Sequence, residues 1–300
     1  MKINKGYLYV SLASILWASV AAVSKLLFVK LDNFQLLFFI TLFSFITLFV
    51  ISVAQGKISI IKSYKLKDYL TFALMGFIGI FLYRFFFQAA LLRMTAQEAY
   101  IVNYTWPIFV VIFAWIILKE KIEWRKTVGL ILAFLGVVVV ITKGNFSELS
   151  FSLSGSIFAL LGAVVYGLYS AMGKKQTYEK YTSTTFFFLF AFIFSTITLF
   201  MFSSIPSLTL GQIVGLLWLG IFTSGLGFVF WLLALKYGDT AKISSIILIT
   251  PFLSLVFIYF MLGEKILISS IIGLFIIVAG ILIQSFSTKK LLDNSLEEKK

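Results

Sequence analysis

The sequence predicts an all-α integral membrane protein with ten transmembrane helices in two inverted five-helix repeats. Three observations lead to this prediction: the composition, the spacing of the apolar segments and a motif that occurs twice. Of the 300 residues, 61% are hydrophobic and 12% are charged, and the mean hydropathy is +1.05. Soluble domains are nearer half apolar and a quarter charged. A soluble fold of this length could not cover so much apolar surface with so few charges, so the chain requires a lipid environment.

Ten apolar segments are long enough to cross a bilayer, which takes about 20 mainly apolar residues. The predicted spans are 7–29, 34–54, 69–92, 96–118, 124–142, 154–173, 184–203, 212–235, 241–262 and 268–287. The gaps between them are short and hold most of the charged residues, so no soluble domain fits between them. Because the first apolar segment has the length of a full span, we expect it to stay in the protein rather than to be removed as a signal peptide.

The distribution of basic residues predicts the orientation of the spans. With the N-terminus in the cytoplasm, nineteen of the 25 Lys and Arg residues fall in segments that face the cytoplasm and five in segments that face outward, while Arg84 lies within a span. The positive-inside rule therefore places both termini in the cytoplasm, in a multi-pass protein of the cell membrane. Residues 288–300, rich in Lys and Glu, are predicted to form a loose, solvated cytoplasmic tail.

A motif near the middle of the chain returns 144 residues later. Pro107 lies 13 residues before a Glu-Lys-Ile triplet, and Pro251 lies at the same distance before a second one. Two copies indicate an internal duplication, with a first repeat at 1–145 and a second at 146–287. Since each repeat holds five spans, an odd number, the second copy must enter the membrane in the opposite direction. Inverted repeats of this kind are typical of alternating-access carriers.

Several kinds of chemistry are excluded by what the sequence lacks. There is no cysteine and no histidine, which removes disulfides, thiolate nucleophiles, the commonest proton shuttle and the usual zinc or haem ligands. No G-x-x-x-x-G-K-[ST] loop occurs, and no pair of carboxylates lies in mid-membrane. The chain is therefore predicted not to be an enzyme and to need no cofactor or metal. Its net charge of +13 lies mainly between the spans, where it indicates topology rather than nucleic-acid binding.

A polar cluster is predicted inside the membrane, where polar side chains are costly and usually functional. Arg84 lies about two-thirds along the third span, with Gln88 one turn further on the same face. Asn103 and Tyr104, in the returning fourth span, lie at a similar depth, so we expect these four side chains to meet in the outer half of the bilayer. Two alternatives stay open: Arg84 could pair with Glu98 at the start of the fourth span, or extend outward to the interface.

The chemistry of this cluster suits an amino acid. A guanidinium binds a carboxylate in bidentate geometry, and aromatic faces can hold an ammonium. Aromatic residues on the central spans are candidates for the walls of the site: Trp17, Tyr83, Phe87, Trp106, Tyr166, Tyr169 and Trp231. Trp17 and Tyr166 occupy equivalent positions in the two repeats. For any one ring taken alone, packing in the core or against lipid is the commoner role, because the chain holds 35 Phe residues.

Pro107 and Pro251 are candidate hinges. Each removes a backbone hydrogen bond from its helix, which can kink a span and free a carbonyl. A kink that serves only the shape of the helix is the simpler interpretation, and a hinge or a contact with substrate is the alternative.

Ten spans in two inverted repeats, each with a proline and a Glu-Lys pair near its fourth span, resemble the drug/metabolite transporter superfamily in its EamA-type branch. The run Glu98-Ala-Tyr-Ile-Val-Asn103-Tyr104-Thr-Trp106-Pro107 is similar to the E-x-x-x-x-N-Y-x-W-P run of the aromatic amino acid exporter branch. This resemblance implies efflux of aromatic and other neutral amino acids through a central cavity lined by aromatic residues. Tyr104 and Trp106 match the motif directly, and Tyr83 and Arg84 fall in its third-span partner.

The chain departs from that branch in two respects. Arg84 is an uncommon cation at its position. The second repeat is apolar where the first is polar, with Phe228 and Ile247 opposite Arg84 and Asn103. These departures leave the substrate open.

Together these features predict a carrier that exports amino acids or related small metabolites by alternating access. Passive uniport or exchange is favoured over proton-driven export because Glu98 is the one attractive titratable group in the spans. The alternative is efflux of cationic drugs or other metabolites, with the cation or a coupling proton drawn by Glu98. The chain lacks the residues that a lipid-modifying enzyme would need for catalysis, which argues against that function. A receptor role stays open. The expected partners are a small-molecule substrate and the bilayer, in a monomer or a weak homodimer.

Overall fold

The computed structural model describes residues 5–119, 124–143, 152–239, 242–243 and 246–297, and in this part of the chain helices are joined by turns and short loops, without strands. Its α-helices are α1 (Lys5–Ala18), α2 (Val20–Leu27), α3 (Asn33–Ala54), α4 (Leu66–Gly76), α5 (Tyr83–Leu91), α6 (Ala96–Asn103), α7 (Trp106–Leu118), α8 (Trp124–Ile141), α9 (Leu153–Gly173), α10 (Lys180–Phe202), α11 (Leu210–Leu217), α12 (Gly227–Tyr237), α13 (Thr250–Leu262) and α14 (Ile268–Glu297). The first Glu-Lys-Ile triplet, at 120–122, lies outside the described residues, as does the predicted boundary between the repeats.

Seven helical segments are long and apolar enough to cross a membrane. They are Lys5–Leu27, Asn33–Ala54, Leu66–Leu91, Ala96–Leu118, Leu153–Gly173, Lys180–Phe202 and Leu210–Tyr237. Three shorter apolar helices, Thr127–Ile141, Ile247–Leu262 and Ile268–Ile283, occupy the remaining predicted spans. The described chain is therefore that of an all-helical, multi-pass membrane protein.

The fourth span is interrupted just before Pro107, between α6 and α7. Proline cannot donate the hydrogen bond that a continuous helix needs, and the chain turns at Tyr104 and Thr105. Pro107 then lies in the first turn of α7, where a missing N–H is harmless. Pro251 takes the same place in α13. The two predicted hinge residues therefore start new helices instead of kinking continuous ones.

The third and eighth spans contain π-helical stretches, where the sequence predicted continuous helices without interruption. These stretches are Phe77–Leu82 and Trp218–Leu226. In the second, the Ser224 hydroxyl donates to the carbonyl oxygen of Leu219, five residues earlier, at 2.7 Å. That bond spans the wider turn of a π-helix. Such segments are rare and are found mostly at functional sites.

The two halves of the chain interlock. α1 packs against α12 and α13, and α9 packs against α5 and α7, so the first long helix of each half contacts the third and fourth spans of the other half. Likewise α3 packs with α10, and α8 packs with α14. Residues of both halves therefore come together at the centre of the bundle.

α8 and α14 approach each other at glycines. A Cβ on Gly136 would lie 2.7 Å from the carbonyl oxygen of Gly273, and a Cβ on Gly280 would lie 2.7 Å from that of Gly129. Only a hydrogen atom fits in these gaps, which is how small residues let membrane helices pack closely. Because the earlier glycine of one helix meets the later glycine of the other, the two helices run antiparallel.

α14 continues to Glu297, through most of the segment that the sequence predicted to be loose. Leu, Lys and Glu are frequent in this segment and are good helix formers, so the last span can extend as a helix beyond its apolar part. The prediction of a loose tail is therefore wrong for residues 288–297.

α7 and α13 both end on a residue in the left-handed conformation, Lys119 with φ 56° and Gly263 with φ 66°. Glycine adopts this conformation freely, whereas a side chain there costs about 1–2 kcal/mol. Lys119→Gly is therefore expected to raise the apparent unfolding temperature of the detergent-purified protein, through a net stabilisation of up to ~1 kcal/mol once the greater freedom of glycine in the unfolded chain is deducted. Lys119→Ala removes the same charge and keeps the Cβ, so it should give no rise. Equal rises for both variants would contradict this explanation.

Candidate functional site

The two halves enclose a cavity of about 160 Å³ at the centre of the bundle. Nine of the twelve residues predicted for the substrate site line it: Trp17, Tyr83, Arg84, Phe87, Gln88, Asn103, Tyr104, Trp106 and Tyr166. Most of the lining is aromatic or aliphatic, with a few amide and hydroxyl groups and one guanidinium. A small hollow of this composition is the usual form of a site for a small organic molecule.

Among the described residues, Arg84 is the only charged side chain on the cavity wall. Its Nη2 donates to the Ser224 hydroxyl at 2.7 Å, and its Cζ lies 5.9 Å from the centre of the Phe188 ring. Its Nε is buried and has no hydrogen-bond partner in the described structure. Ser224 is neutral, so the positive charge has no counter-charge on the wall. Arg84 therefore points into the bundle, and its partner is Ser224 rather than Glu98.

Ser224 is oriented by the π-helical stretch that contains it. Its hydroxyl hydrogen goes to the carbonyl of Leu219, which leaves an oxygen lone pair for Arg84. The Thr223 hydroxyl donates to the same carbonyl at 2.6 Å. The backbone carbonyl of Thr223 in turn accepts a hydrogen bond from Trp17 Nε1 at 3.0 Å. The stretch thus fixes the acceptor that holds the guanidinium.

The amide and phenol groups of the wall are mostly engaged with one another or with backbone. Tyr83 donates its hydroxyl hydrogen to Asn103 Oδ1 at 3.3 Å, and Asn103 Nδ2 donates to the carbonyl of Ala159 at 3.2 Å. Tyr104 donates to the carbonyl of Ile247 at 3.1 Å. By contrast, Gln88 is 3% exposed and its Oε1 has no partner within the described ranges. A buried polar atom left unpaired is uncommon in proteins and is a candidate for binding a ligand.

Aromatic rings form one side of the cavity. The Tyr166 ring lies 4.7 Å from that of Tyr83 and 5.0 Å from that of Trp106, measured between centroids. Behind them, Tyr169 packs on Tyr166 at 5.8 Å. A Cβ on Gly79 would lie 2.0 Å from the Tyr169 ring, so this packing requires glycine. The rings therefore hold each other in place, as a rigid apolar wall.

Three predicted site residues lie off the cavity wall. Tyr169 supports Tyr166, and Trp231 packs on Trp17 with ring centroids 6.0 Å apart. Glu98 lies at the start of α6, where its Oε2 accepts from the N–H of Thr95 at 3.2 Å in a capping box. Pro107 and Pro251 are also absent from the wall, although their neighbours Trp106 and Thr250 line it.

Several polar residues of the wall were not predicted from the sequence. These are Ser24, Thr223, Ser224 and Thr250, which line the cavity together with Phe188. A signal for two of them was present, because Thr223 and Ser224 are adjacent hydroxyl residues between glycines in an otherwise apolar span. The other residues sit singly in apolar runs, where a hydroxyl is unremarkable because it can bond to its own helix.

At one end of the bundle, hydrogen bonds join α6 to the second copy of the motif. The Glu264 carboxylate accepts from the N–H of Ala96 at 2.9 Å and of Gln97 at 3.3 Å. These N–H groups belong to the first turn of α6, which has no intrahelical acceptor for them and carries a partial positive charge. The Gln97 side chain donates to the carbonyl of Lys265 at 2.9 Å and accepts from the N–H of Leu267 at 3.2 Å. Four bonds thus join the two halves here.

Two lysines add to the contacts near the start of α6. Lys25 Nζ donates to the carbonyl oxygens of Leu91 and, at 2.8 Å, Met94. Lys143 forms an ion pair with Glu98 at 3.3 Å. The carboxylates of Glu98 and Glu264 therefore serve as caps and ion-pair partners at this end of the bundle, away from the cavity.

An all-helical membrane bundle with a small, mainly apolar hollow at the junction of two interlocked halves is an arrangement typical of membrane transporters. The chain belongs to the EamA-like transporter family, whose model matches residues 4–142 and again residues 153–286.

Proteins with similar sequences are also named as transporters. An uncharacterized transporter of Clostridium kluyveri is 31% identical over 96% of this chain and 95% of its own length, and one of Archaeoglobus fulgidus is 30% identical over 79% and 83%. The aromatic amino acid exporter YddG of Ancylobacter novellus is 26% identical over 60% of this chain and 63% of its own. One crystal structure matches with a TM-score of 0.68 at 21% identity, covering 95% of this chain and 99% of that chain, which shows a likeness of fold alone.

The bond between Arg84 and Ser224 predicts a measurable loss of stability. Ser224→Ala removes the acceptor of a buried guanidinium, and hydrogen bonds to charged groups contribute about 1.5–3 kcal/mol. We expect a clear fall in the apparent unfolding temperature of the purified protein. Ser254→Ala is the matched control, because the Ser254 hydroxyl is fully buried and has no partner in the described structure. It should be neutral or stabilising; equal losses in both variants would show that the Arg84–Ser224 bond contributes nothing.

Proposed function

We propose that this transporter exports amino acids, aromatic or neutral, or related small metabolites across the cell membrane by alternating access. The observation that carries the proposal is the guanidinium of Arg84, which lies without a counter-charge on the wall of a small, aromatic cavity. A substrate carboxylate would supply the missing charge and accept its free hydrogen-bond donors. The rings of Tyr83, Trp106 and Tyr166 offer flat, amphipathic surfaces to the rest of the substrate.

The size of the cavity favours a metabolite over a drug. Pockets for drug-sized ligands measure roughly 300–1,000 Å³, whereas this cavity is near 160 Å³. Efflux of cationic drugs gains no support from the wall, because no carboxylate of the described chain lines it. Glu98, the residue that would attract a cation or carry a coupling proton, is engaged with Lys143. These contacts support uniport or exchange without proton coupling.

The proposed architecture is ten spans in two inverted five-helix repeats, at 1–145 and 146–287, with both termini in the cytoplasm. The paired family matches, the equivalent limits of α7 and α13, and the antiparallel contact of α8 with α14 support it. The distribution of Lys and Arg supports the orientation. The working unit under this proposal is a monomer or a weak homodimer.

In this orientation the contacts of Glu264 lie at the outer end of the bundle. Alternating access requires this end to open when the inner end closes, so the bonds from Ala96 and Gln97 to Glu264 must break during each cycle. The described conformation is, on this proposal, closed toward the outside. Glu264 then sets how readily the outer end opens.

Exchange in proteoliposomes tests the assignment of the site. Vesicles preloaded with unlabelled phenylalanine should take up labelled phenylalanine, and Arg84→Ala should lower the rate at least about tenfold, because hydrogen bonds to a charged group contribute about 1.5–3 kcal/mol. Trp106→Ala should also lower it. Arg93→Ala is the control, since Arg93 donates to the carbonyl of Ala89 and packs on the Phe158 ring off the cavity wall. Wild-type rates in both Arg84→Ala and Trp106→Ala would rule out this site.

The role of Glu264 can be tested by thiol labelling, because the protein contains no cysteine. Ser24→Cys places one thiol on the cavity wall, for a membrane-impermeant reagent added from outside the cell. Combining it with Glu264→Ala removes a helix cap that contributes about 0.5–2 kcal/mol, so labelling should become several-fold faster.

Glu179→Ala is the matched control for this experiment. Glu179 caps α10 by accepting from the N–H of Thr182 at 2.7 Å, and the proposed topology places it at the cytoplasmic end. It should leave the labelling rate unchanged. An equal increase with Glu179→Ala and Glu264→Ala would mean that Glu264 does not hold the outer end closed.

A further inference from the structure

The charges on the cavity wall do not match those of an amino acid. An amino acid brings one carboxylate and one ammonium, and both lose water on entering the cavity. The wall offers Arg84 to the carboxylate, but it offers no Asp or Glu to the ammonium in the part of the chain that the structure describes. The side chain of Glu98 lies off the wall in its ion pair with Lys143.

Apart from Arg84, the described residues of the wall offer an ammonium only neutral groups. The amide of Gln88, the hydroxyl of Thr250 and the faces of the tyrosine rings are available on the wall. Such groups replace part of the lost hydration. At the same time the positive charge of Arg84 repels a second positive charge a few ångströms away, more strongly than it would in water. The ammonium of a zwitterion therefore adds little to binding here.

Any bound monoanion would supply the counter-charge that the Arg84 guanidinium lacks on the described wall. Its described hydrogen bond goes to the neutral Ser224, and its Nε has no partner there. A charge held inside a membrane protein without a counter-charge is unfavourable. A ligand carboxylate would pair with this charge whether or not the same ligand also carries an ammonium.

We propose that the cavity selects the carboxylate alone, so that its substrate class is monocarboxylates with an aromatic or apolar side chain, with or without an α-ammonium. This inference rests on the proposed function, because it concerns the same site. The Gln88 amide both donates and accepts hydrogen bonds, so it accommodates a hydroxyl, an oxo group or an ammonium beside the carboxylate. Deaminated relatives of amino acids therefore bind at least as well as the amino acids themselves.

Three ligands with the same ring test the contribution of each charged group to binding. 3-Phenylpropionate has the carboxylate alone, L-phenylalanine has both groups, and phenethylamine has the ammonium alone. Their binding to the detergent-purified full-length protein is measured by isothermal titration calorimetry. We expect 3-phenylpropionate to bind as tightly as L-phenylalanine or more tightly, and phenethylamine to bind at least tenfold more weakly than either.

The outcomes distinguish this inference from the proposed function. L-Phenylalanine binding measurably more tightly than 3-phenylpropionate would overturn the inference and leave amino acid export standing. Phenethylamine binding as tightly as 3-phenylpropionate would also overturn it. Binding of none of the three ligands would overturn both.

Gln88→Glu adds a carboxylate one helical turn from Arg84, and so supplies the group that the wall lacks. This variant should weaken the binding of 3-phenylpropionate at least tenfold relative to the binding of L-phenylalanine. Gln88→Met, which has a similar size and no charge, should keep the order of the wild type. An unchanged ratio in a folded Gln88→Glu protein would contradict the inference. If that variant does not fold, the three ligands on the wild-type protein decide the question.

Discussion

The polar contacts at the centre of this structure are arranged around a guanidinium held inside a membrane bundle, that of Arg84. Arg84 needs an oriented acceptor, and the Ser224 hydroxyl is held in one orientation because its own hydrogen is donated to the carbonyl of Leu219. That bond depends on the π-helical stretch, which Trp17 braces from the other half through the carbonyl of Thr223. The bonds of Arg84, Ser224, Thr223 and Trp17 thus form one polar network that runs from the cavity wall into the π-helical stretch.

The short helix α6 connects the closed end of the bundle with the cavity. Its first turn is held by Glu264 from the second half, and its last residue, Asn103, lies on the cavity wall beside Tyr104. Eight residues of α-helix span only about 12 Å, and such a helix moves as one body. Under the proposed mechanism, a substrate that contacts Asn103 at one end of α6 would act on the bonds to Glu264 at the other end through this one short helix.

Much of this could be predicted from the sequence, because the signals were strong and local. Apolar length located the helices, and the cost of polar groups in lipid brought Arg84, Gln88, Asn103 and Tyr104 into consideration together. The π-helical stretches could not be predicted, since apolar runs fit either winding. The partner of Arg84 was missed because Ser224 is small, common and far along the chain. Glu98 was placed in the site because it is a titratable group in the motif, whereas its ion-pair partner, Lys143, lies just past the end of α8, far along the chain.

The glycine contacts between α8 and α14 limit how the two halves can move against each other. The helices touch backbone to backbone at two points, Gly129 with Gly280 and Gly136 with Gly273. Sliding by one turn would drive side chains into gaps that admit only hydrogen. Under the proposed alternating access, this pair would therefore serve as a pivot, with the larger displacements in the helices far from it.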